Sequence, residues 1–254
     1  MALFQSGNPT LSEKIFNRSI EANNSGTMTV RGTMAKFGFL TLMVIAGAAY
    51  TWHLYASFKE QTMMTFMYVG LFGGLVTALI MSFKPTTARY LAPAYGLLEG
   101  FFVGAISVVL NEAFKVKAPG IIMQAVGLTF GVALAMFLLY NFRIIKPTQK
   151  FKAIVFSATA GIALFYLIAL VLRLFHVDLP FMYNSSPLGI GISVFIVAIA
   201  ALNLILDFDM IEQGAAAGAP KHMEWYGAFG LLVTIVWLYI EILKLLARIY
   251  GRRD

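Results

Sequence analysis

With 254 residues, 59% of them hydrophobic, 12% charged and a mean hydropathy of +0.79, the chain is far more apolar than a soluble domain, in which about 25% of residues are charged; it is expected to live in a membrane. The absence of cysteine excludes disulfides, thiolate metal sites and cysteine nucleophiles, and three scattered histidines (His53, His176, His222) cannot assemble a histidine-rich metal site. The formal charge of +7 comes from cations that punctuate apolar runs, so anionic lipid headgroups account for it better than nucleic acid does.

In chain order, residues 1–36 form a polar stretch, including SEKIFNRSIEANNSGTMTVRGTMAK, without the apolar core and small-residue cleavage site of a signal peptide. It is read as a retained cytoplasmic arm with some helix near residues 10–20. Crossing about 30 Å of hydrocarbon takes about 20 helical residues. Seven apolar runs of that length follow, at 37–58, 62–83, 90–110, 121–142, 153–175, 186–208 and 225–249. Lys59-Glu60, Lys84-Pro85, the KVKAPG segment, Lys146-Pro147, Pro180 to Pro187 and the Gly/Ala-rich run Gln213 to Lys221 separate them, each placing proline, glycine or charge where a helix can end in water. The alternating ten-residue segments of a membrane barrel are absent, and in lipid only helices and closed barrels satisfy their own backbone. The fold class is therefore all-α: a polytopic seven-transmembrane-helix bundle over residues 37–250.

With the N-terminus inside, eleven Lys and Arg fall on the inner side and eight on the outer, a weak positive-inside bias. Were the last segment to re-enter and return instead of crossing, Lys244, Arg248, Arg252 and Arg253 would move inside and the count would become fifteen to four. The length of 225–249 favours seven crossings.

Ionisable side chains cost about 2.5–3.5 kcal/mol each at the centre of an inserted helix, so those within spans are the first functional candidates. Glu99, Asn203, Asp207, Asp209 and Glu241 qualify, with Glu212, Glu224 and Lys244 near span edges. Glu99 stands beside a stripe of Gly96, Gly100 and Gly104 on the third span. Small residues four apart let backbones approach closely, which explains the glycines but not the carboxylate at their edge. Glu99 is expected to point into the bundle, toward a cation, water or a hydrogen-bond donor. At the end of the sixth span Asn203 and Asp207 are i,i+4 neighbours, whereas Asp209 is rotated about 200° from Asp207; only one of the two aspartates is expected to face the interior. On the last span Trp237, Glu241, Lys244 and Arg248 share a stripe. Glu241 and Lys244 at i,i+3 allow mutual neutralisation, yet glutamate is too short to reach outward from such depth as lysine does. The 13 methionines and 22 phenylalanines read as scattered bulk, and Trp52 and Trp225 as interfacial anchors.

Four segments, TMTVRGTMAKFGFLTLMVIAGAAYTW, YGLLEGFFVGAIS, LNLILDFDMIE and MEWYGAFGLLVTIVWLYIEILKLL, resemble the Bax inhibitor family of membrane proteins, specifically its bacterial Bax-inhibitor-like branch, over roughly residues 27–250. The resemblance implies a seven-helix bundle with the last helix central. It also implies a pH-sensitive calcium leak channel, governed by a proton shared between carboxylates on the sixth and seventh helices. Asp209 matches the sixth-helix acid, Glu241 the seventh-helix acid and Glu99 the third-helix glutamate, with Asn203 and Asp207 as further candidates for the ion pathway. Together Asp209, Glu241 and Glu99 are expected to offer calcium a transient station only, because the ion prefers several hard oxygen ligands. Two touching carboxylates away from water cannot both ionise easily, which makes such a pair a proton switch. The chain departs from the family pattern at Met210, where a small hydroxyl residue usually stands, and at Glu241, which replaces an aspartate. Spacing is a further difficulty. If the hairpin turns near Ala217 and both arms are straight, Asp209 and Glu241 are mismatched by sixteen residues, about 24 Å. Their contact requires much of 213–228 to be loop, and Glu224 is the level alternative partner for Asp209.

The expected function is therefore non-enzymatic: a pH-sensitive cation leak, with calcium the expected ion and no cofactor, in the bacterial inner membrane with the N-terminus cytoplasmic. The alternative is a regulatory protein that binds a membrane partner, such as a membrane-anchored protease, through the arm 1–36. An intramembrane aspartyl protease is disfavoured by the missing Gly-x-Gly-Asp motif, other enzymes by the lack of a Ser–His pairing or metal cluster, and a transporter by the lack of a two-half repeat.

Overall fold

The computed structural model describes residues 26–176 and 185–251; the helix expected near residues 10–20 lies outside them. Seven long helices follow one another: α1 (Val30–Ala56), α2 (Glu60–Phe83), α3 (Ala88–Ala113), α4 (Ile121–Asn141), α5 (Gln149–Leu174), α6 (Pro187–Ala216) and α7 (Met223–Gly251). All seven are long and apolar enough to cross a bilayer, so the chain is an integral membrane protein. The described residues contain no strand, only an isolated bridge between Thr27 and Pro220. α7 is one continuous helix of 29 residues rather than a re-entrant hairpin.

The boundaries have local chemical causes. Thr29 caps α1 by accepting from the Gly32 amide at 3.0 Å, so the helix starts at Val30 and takes up the last residues assigned to the polar arm. Thr148 caps α5 through the Phe151 amide, which brings Lys152 into the first turn of the helix rather than leaving it in a loop. Ser186 caps α6, with Pro187 at its first position. α6 ends in a Schellman turn. Gly218 adopts φ +70, its amide reaches the Ala215 carbonyl, and the Ala219 amide reaches that of Gly214.

As the family resemblance implies, α7 is the axis of the bundle, enclosed by α1, α3, α4 and α6. Its buried side chains, including Tyr226, Phe229, Leu232, Leu238 and Leu243, point in every direction. α2 packs outside α3 and α1, and α5 rests on α6. Large apolar side chains such as Leu42, Phe72, Leu134 and Leu164 face outward from these peripheral helices, as lipid requires.

The glycine stripe of α3 is a packing seam. Gly96, Gly100 and Gly104 lie against Leu40, Val44 and Ala48 of α1, and a methyl group at Gly100 would overlap the Val44 carbonyl and the Gly47 Cα. Gly70 of α2 meets the Leu98 carbonyl on the other side. Backbones this close gain dispersion along their length without any charge. Gly100→Ala is expected to cost about 1–3 kcal/mol by overpacking. Gly38→Ala, where the added methyl meets nothing within 4 Å, is expected to be neutral or slightly stabilising. Unfolding of the purified protein in detergent distinguishes the two.

Candidate functional site

The carboxylates inside the bundle are distributed along its length. Asp209, on the last turns of α6, meets Lys152 Nζ at 2.5 Å, and both side chains are almost fully enclosed. Gln213 Nε2 donates to the same carboxylate at 2.5 Å and the Tyr140 hydroxyl to its other oxygen at 3.4 Å. Tyr140 also hydrogen-bonds Glu212, which pairs with Arg143 at 2.9 Å. Glu241, on α7, is equally enclosed. It accepts from the Tyr166 hydroxyl at 3.0 and 3.1 Å and from Lys244 at 2.6 Å, and Lys244 lies over the Tyr166 ring while bonding its hydroxyl at 2.9 Å. The i,i+3 pairing of Glu241 with Lys244 is therefore real, but α5 supplies its third member.

Between these stations Asn203 of α6 donates to Thr159 at 2.8 Å and to the Ile199 carbonyl at 2.8 Å. Lys152, Thr159 and Tyr166 are spaced by seven residues on α5, so they lie on one face of the helix, with Val155 and Ile162 buried between them. A single face of α5 thus presents polar groups to α6 and α7 over fourteen residues, about 21 Å.

That ruler separates the two acids expected to share a proton. Asp209 is met by Lys152 and Glu241 by Tyr166, at levels about 21 Å apart along α5. α7 gives nearly the same measure. Gly227 faces Ile211, which puts Asp209 level with about residue 229 and Glu241 about 18 Å further along. The expected contact between Asp209 and Glu241 is not formed, because α6 and α7 are straight helices joined by a short turn and 213–228 does not unwind. The alternative partner, Glu224, is engaged elsewhere. Its buried carboxylate accepts from the Thr29 amide at 3.0 Å and the Thr29 hydroxyl at 2.8 Å, and it is paired with Lys36 and with Lys221. Backbone bonds from Met28 to Ala219 and from Lys221 to Gly26 complete a clasp between the segment before α1 and the α6–α7 turn.

Two other expectations change. Asp207 and Asp209 are both enclosed, with 0% and 6% exposure, although they project from opposite sides of α6; that end of the helix has neighbours on every side. Glu99 is half-buried beside Tyr95, its partner one turn earlier, with Oε2 against Gly74 of α2. Glu99, Asp209 and Glu241 do not converge as a calcium station, and the described residues hold no group of three His, Asp or Glu placed to bind a metal.

The family model described as Bax inhibitor 1 like matches residues 8–251, nearly the whole chain. The chain belongs to the Bax inhibitor 1 like family. No curated protein and no solved structure matches it. In this Bax inhibitor 1 like protein, the helix-5 contributors Lys152, Thr159 and Tyr166 are the residues that the sequence reading missed. Their signal was the heptad spacing of polar side chains inside an apolar segment.

Two measurements check this assignment. Glu224→Ala is expected to cost about 2 kcal/mol, the scale of hydrogen bonds to a charged group, and to raise amide exchange across residues 26–36. His222, in the α6–α7 turn, is held below its usual pKa, first by burial and then by the Arg89 cation. The fold therefore favours neutral His222: its contribution is complete above the unfolded pKa, about 6.5, and is lost as pH falls through the lower folded value. Melting curves from pH 7.5 to 5 should show a smaller acid-induced loss in His222→Gln than in the wild type.

Proposed function

We propose that this protein is a proton-sensitive leak for cations, with calcium the expected ion, in the bacterial plasma membrane with its N-terminus in the cytoplasm. The observation that carries the reading is the pair of enclosed carboxylates, Asp209 and Glu241, the first closed by Lys152 of α5 and the second by Lys244 of α7 with Tyr166 of α5. An ionised carboxylate attracts a cation, and the lysine beside it competes for the same oxygens. While the lysine holds the carboxylate, the station is neutral and a passing cation must displace it. Protonating the carboxylate removes the attraction and leaves the lysine charge in the path. Passage therefore falls as pH falls. In this form of the mechanism the two acids are separate stations, not one coupled pair sharing a proton. Asn203 and Thr159 supply neutral oxygens and an amide between them.

The test is calcium flux in liposomes reconstituted with the full-length protein, followed from pH 4 to 8. Flux is expected to rise with pH. Asp209→Asn and Glu241→Gln should each lower it several-fold at pH 8 and flatten the profile, whereas Lys152→Gln should raise it. Equal flux at every pH and in all variants rejects the reading.

The Glu224 clasp favours a second reading, a regulatory protein that binds a membrane partner such as a membrane-anchored protease. Residues 26–36 are tied to the α6–α7 turn, so a partner holding the preceding arm would pull directly on the central helix. Deleting residues 1–25 should then abolish partner pull-down and leave flux unchanged; pull-down that survives the deletion rejects this reading.

A further inference from the structure

Asp209 is shut away from water, yet its hydrogen-bond network reaches the surface. Its Oδ2 is held by Lys152 and by Gln213, each at 2.5 Å, and its Oδ1 meets the Tyr140 hydroxyl at 3.4 Å. Tyr140, on the last turn of α4, also hydrogen-bonds Glu212 Oε2, and Glu212 pairs with Arg143 at 2.9 Å. The Glu212 and Arg143 side chains are 45% and 55% exposed, against 8% for Asp209. A cavity of about 330 Å³ opens between α1, α4 and α6, with Val30, Met34, Tyr140, Arg143 and Glu212 in its wall. Asp209 does not line it; Tyr140 is the residue that both lines it and hydrogen-bonds Asp209. Of the other groups that touch Asp209, Gln213 has no proton to give up and Lys152 is itself only 4% exposed.

We propose that Glu212 and Tyr140 form the relay by which protons pass between water and Asp209, at the face of the bundle that carries the start of α1. A tyrosine has one hydroxyl hydrogen, and here two carboxylates face it. Asp209 at 3.4 Å is beyond the usual O–H···O range of about 2.5–3.0 Å, so at rest that hydrogen is given to Glu212. When water protonates Glu212, Glu212 donates to the Tyr140 oxygen and the Tyr140 hydrogen passes to Asp209 Oδ1. An O–H bond breaks at Glu212 and one forms at Asp209, while the tyrosine loses one hydrogen, gains another and stays neutral. The other charged groups about the relay are Lys152 of α5 and Arg143 beyond the end of α4. Asp207 projects from the opposite side of α6, and Lys36 of α1 and Glu224 of α7, at the same end of the bundle, are paired with each other. The relay deepens the leak reading and rests on it in one respect, that Asp209 takes up protons.

Time-resolved infrared spectroscopy of the full-length protein in detergent tests it, with a light-released proton taking the sample from pH 8 to 4. The carbonyl band of protonated Asp209 is identified by its loss in Asp209→Asn. Tyr140→Phe and Glu212→Gln are each expected to slow the appearance of that band tenfold or more and to leave its final amplitude unchanged, which a merely structural role would not do. Glu212 is half exposed, so Glu212→Gln decides the matter if Tyr140→Phe does not fold. An unslowed band in a folded variant, whatever its amplitude, overturns the relay, as does a wild type in which Asp209 takes up no proton. Wild-type flux that ignores pH while the band still forms through Tyr140 would end the leak reading and leave the relay standing.

Discussion

Three carboxylates enclosed among the helices, Asp209, Glu241 and Glu224, are answered by charge or donors from another segment, and these pairings organise the assembly. Asp209 is answered by Lys152 of α5, Glu241 by Tyr166 of α5 together with Lys244, and Glu224 by Lys36 of α1 and by Thr29 and Lys221. In each case an element outside the α6–α7 hairpin is fastened to it at one fixed level. Such pairs contribute less to net stability than their geometry suggests, because removing two ions from water offsets much of their attraction. What they enforce is register: sliding a helix by one turn would leave a buried charge alone, at about 3–5 kcal/mol.

The two sides of the bundle are held by different forces. α1, α2 and α3 meet backbone to backbone through Gly47, Gly70, Gly96, Gly100 and Gly104, and Ser107 of α3 bonds Tyr239 of α7 at 2.7 Å. Contacts of this kind have one good geometry and resist deformation. α5 is different. It rests on α6 through Val155, Ile162 and Ala169, interleaved with Lys152, Thr159 and Tyr166. Because those three polar side chains occupy one face, a modest rotation of α5 about its own axis would loosen all of them together. Such a rotation would alter the polar seam without disturbing the glycine-packed contacts of α1, α2 and α3.

Hydropathy and charge were enough to read seven spans and the all-helical class, since the bilayer leaves few alternatives to a chain of this composition, whereas the central last helix was implied only by the family resemblance. The partners of the acids were less legible. Lys152 fell one residue outside its expected span and read as a loop cation until Thr148 proved to cap the helix ahead of it. The separation of Asp209 from Glu241 was visible as a spacing mismatch, and the straight hairpin bears that arithmetic out against the family pattern. The burial of both Asp207 and Asp209 could not be read from helical phase, because phase says which side a residue takes and not how many neighbours surround the helix. Thr29 and Lys36 lie 195 and 188 residues from Glu224, beyond any local pattern.

That last separation bears on biosynthesis. The first helix leaves the ribosome long before Glu224 exists, so the Thr29 amide and the Lys36 ammonium must find provisional partners while nearly 190 residues are still to be made. The clasp closes only after the final hairpin has been threaded. Premature termination anywhere upstream would leave the start of the protein unfastened.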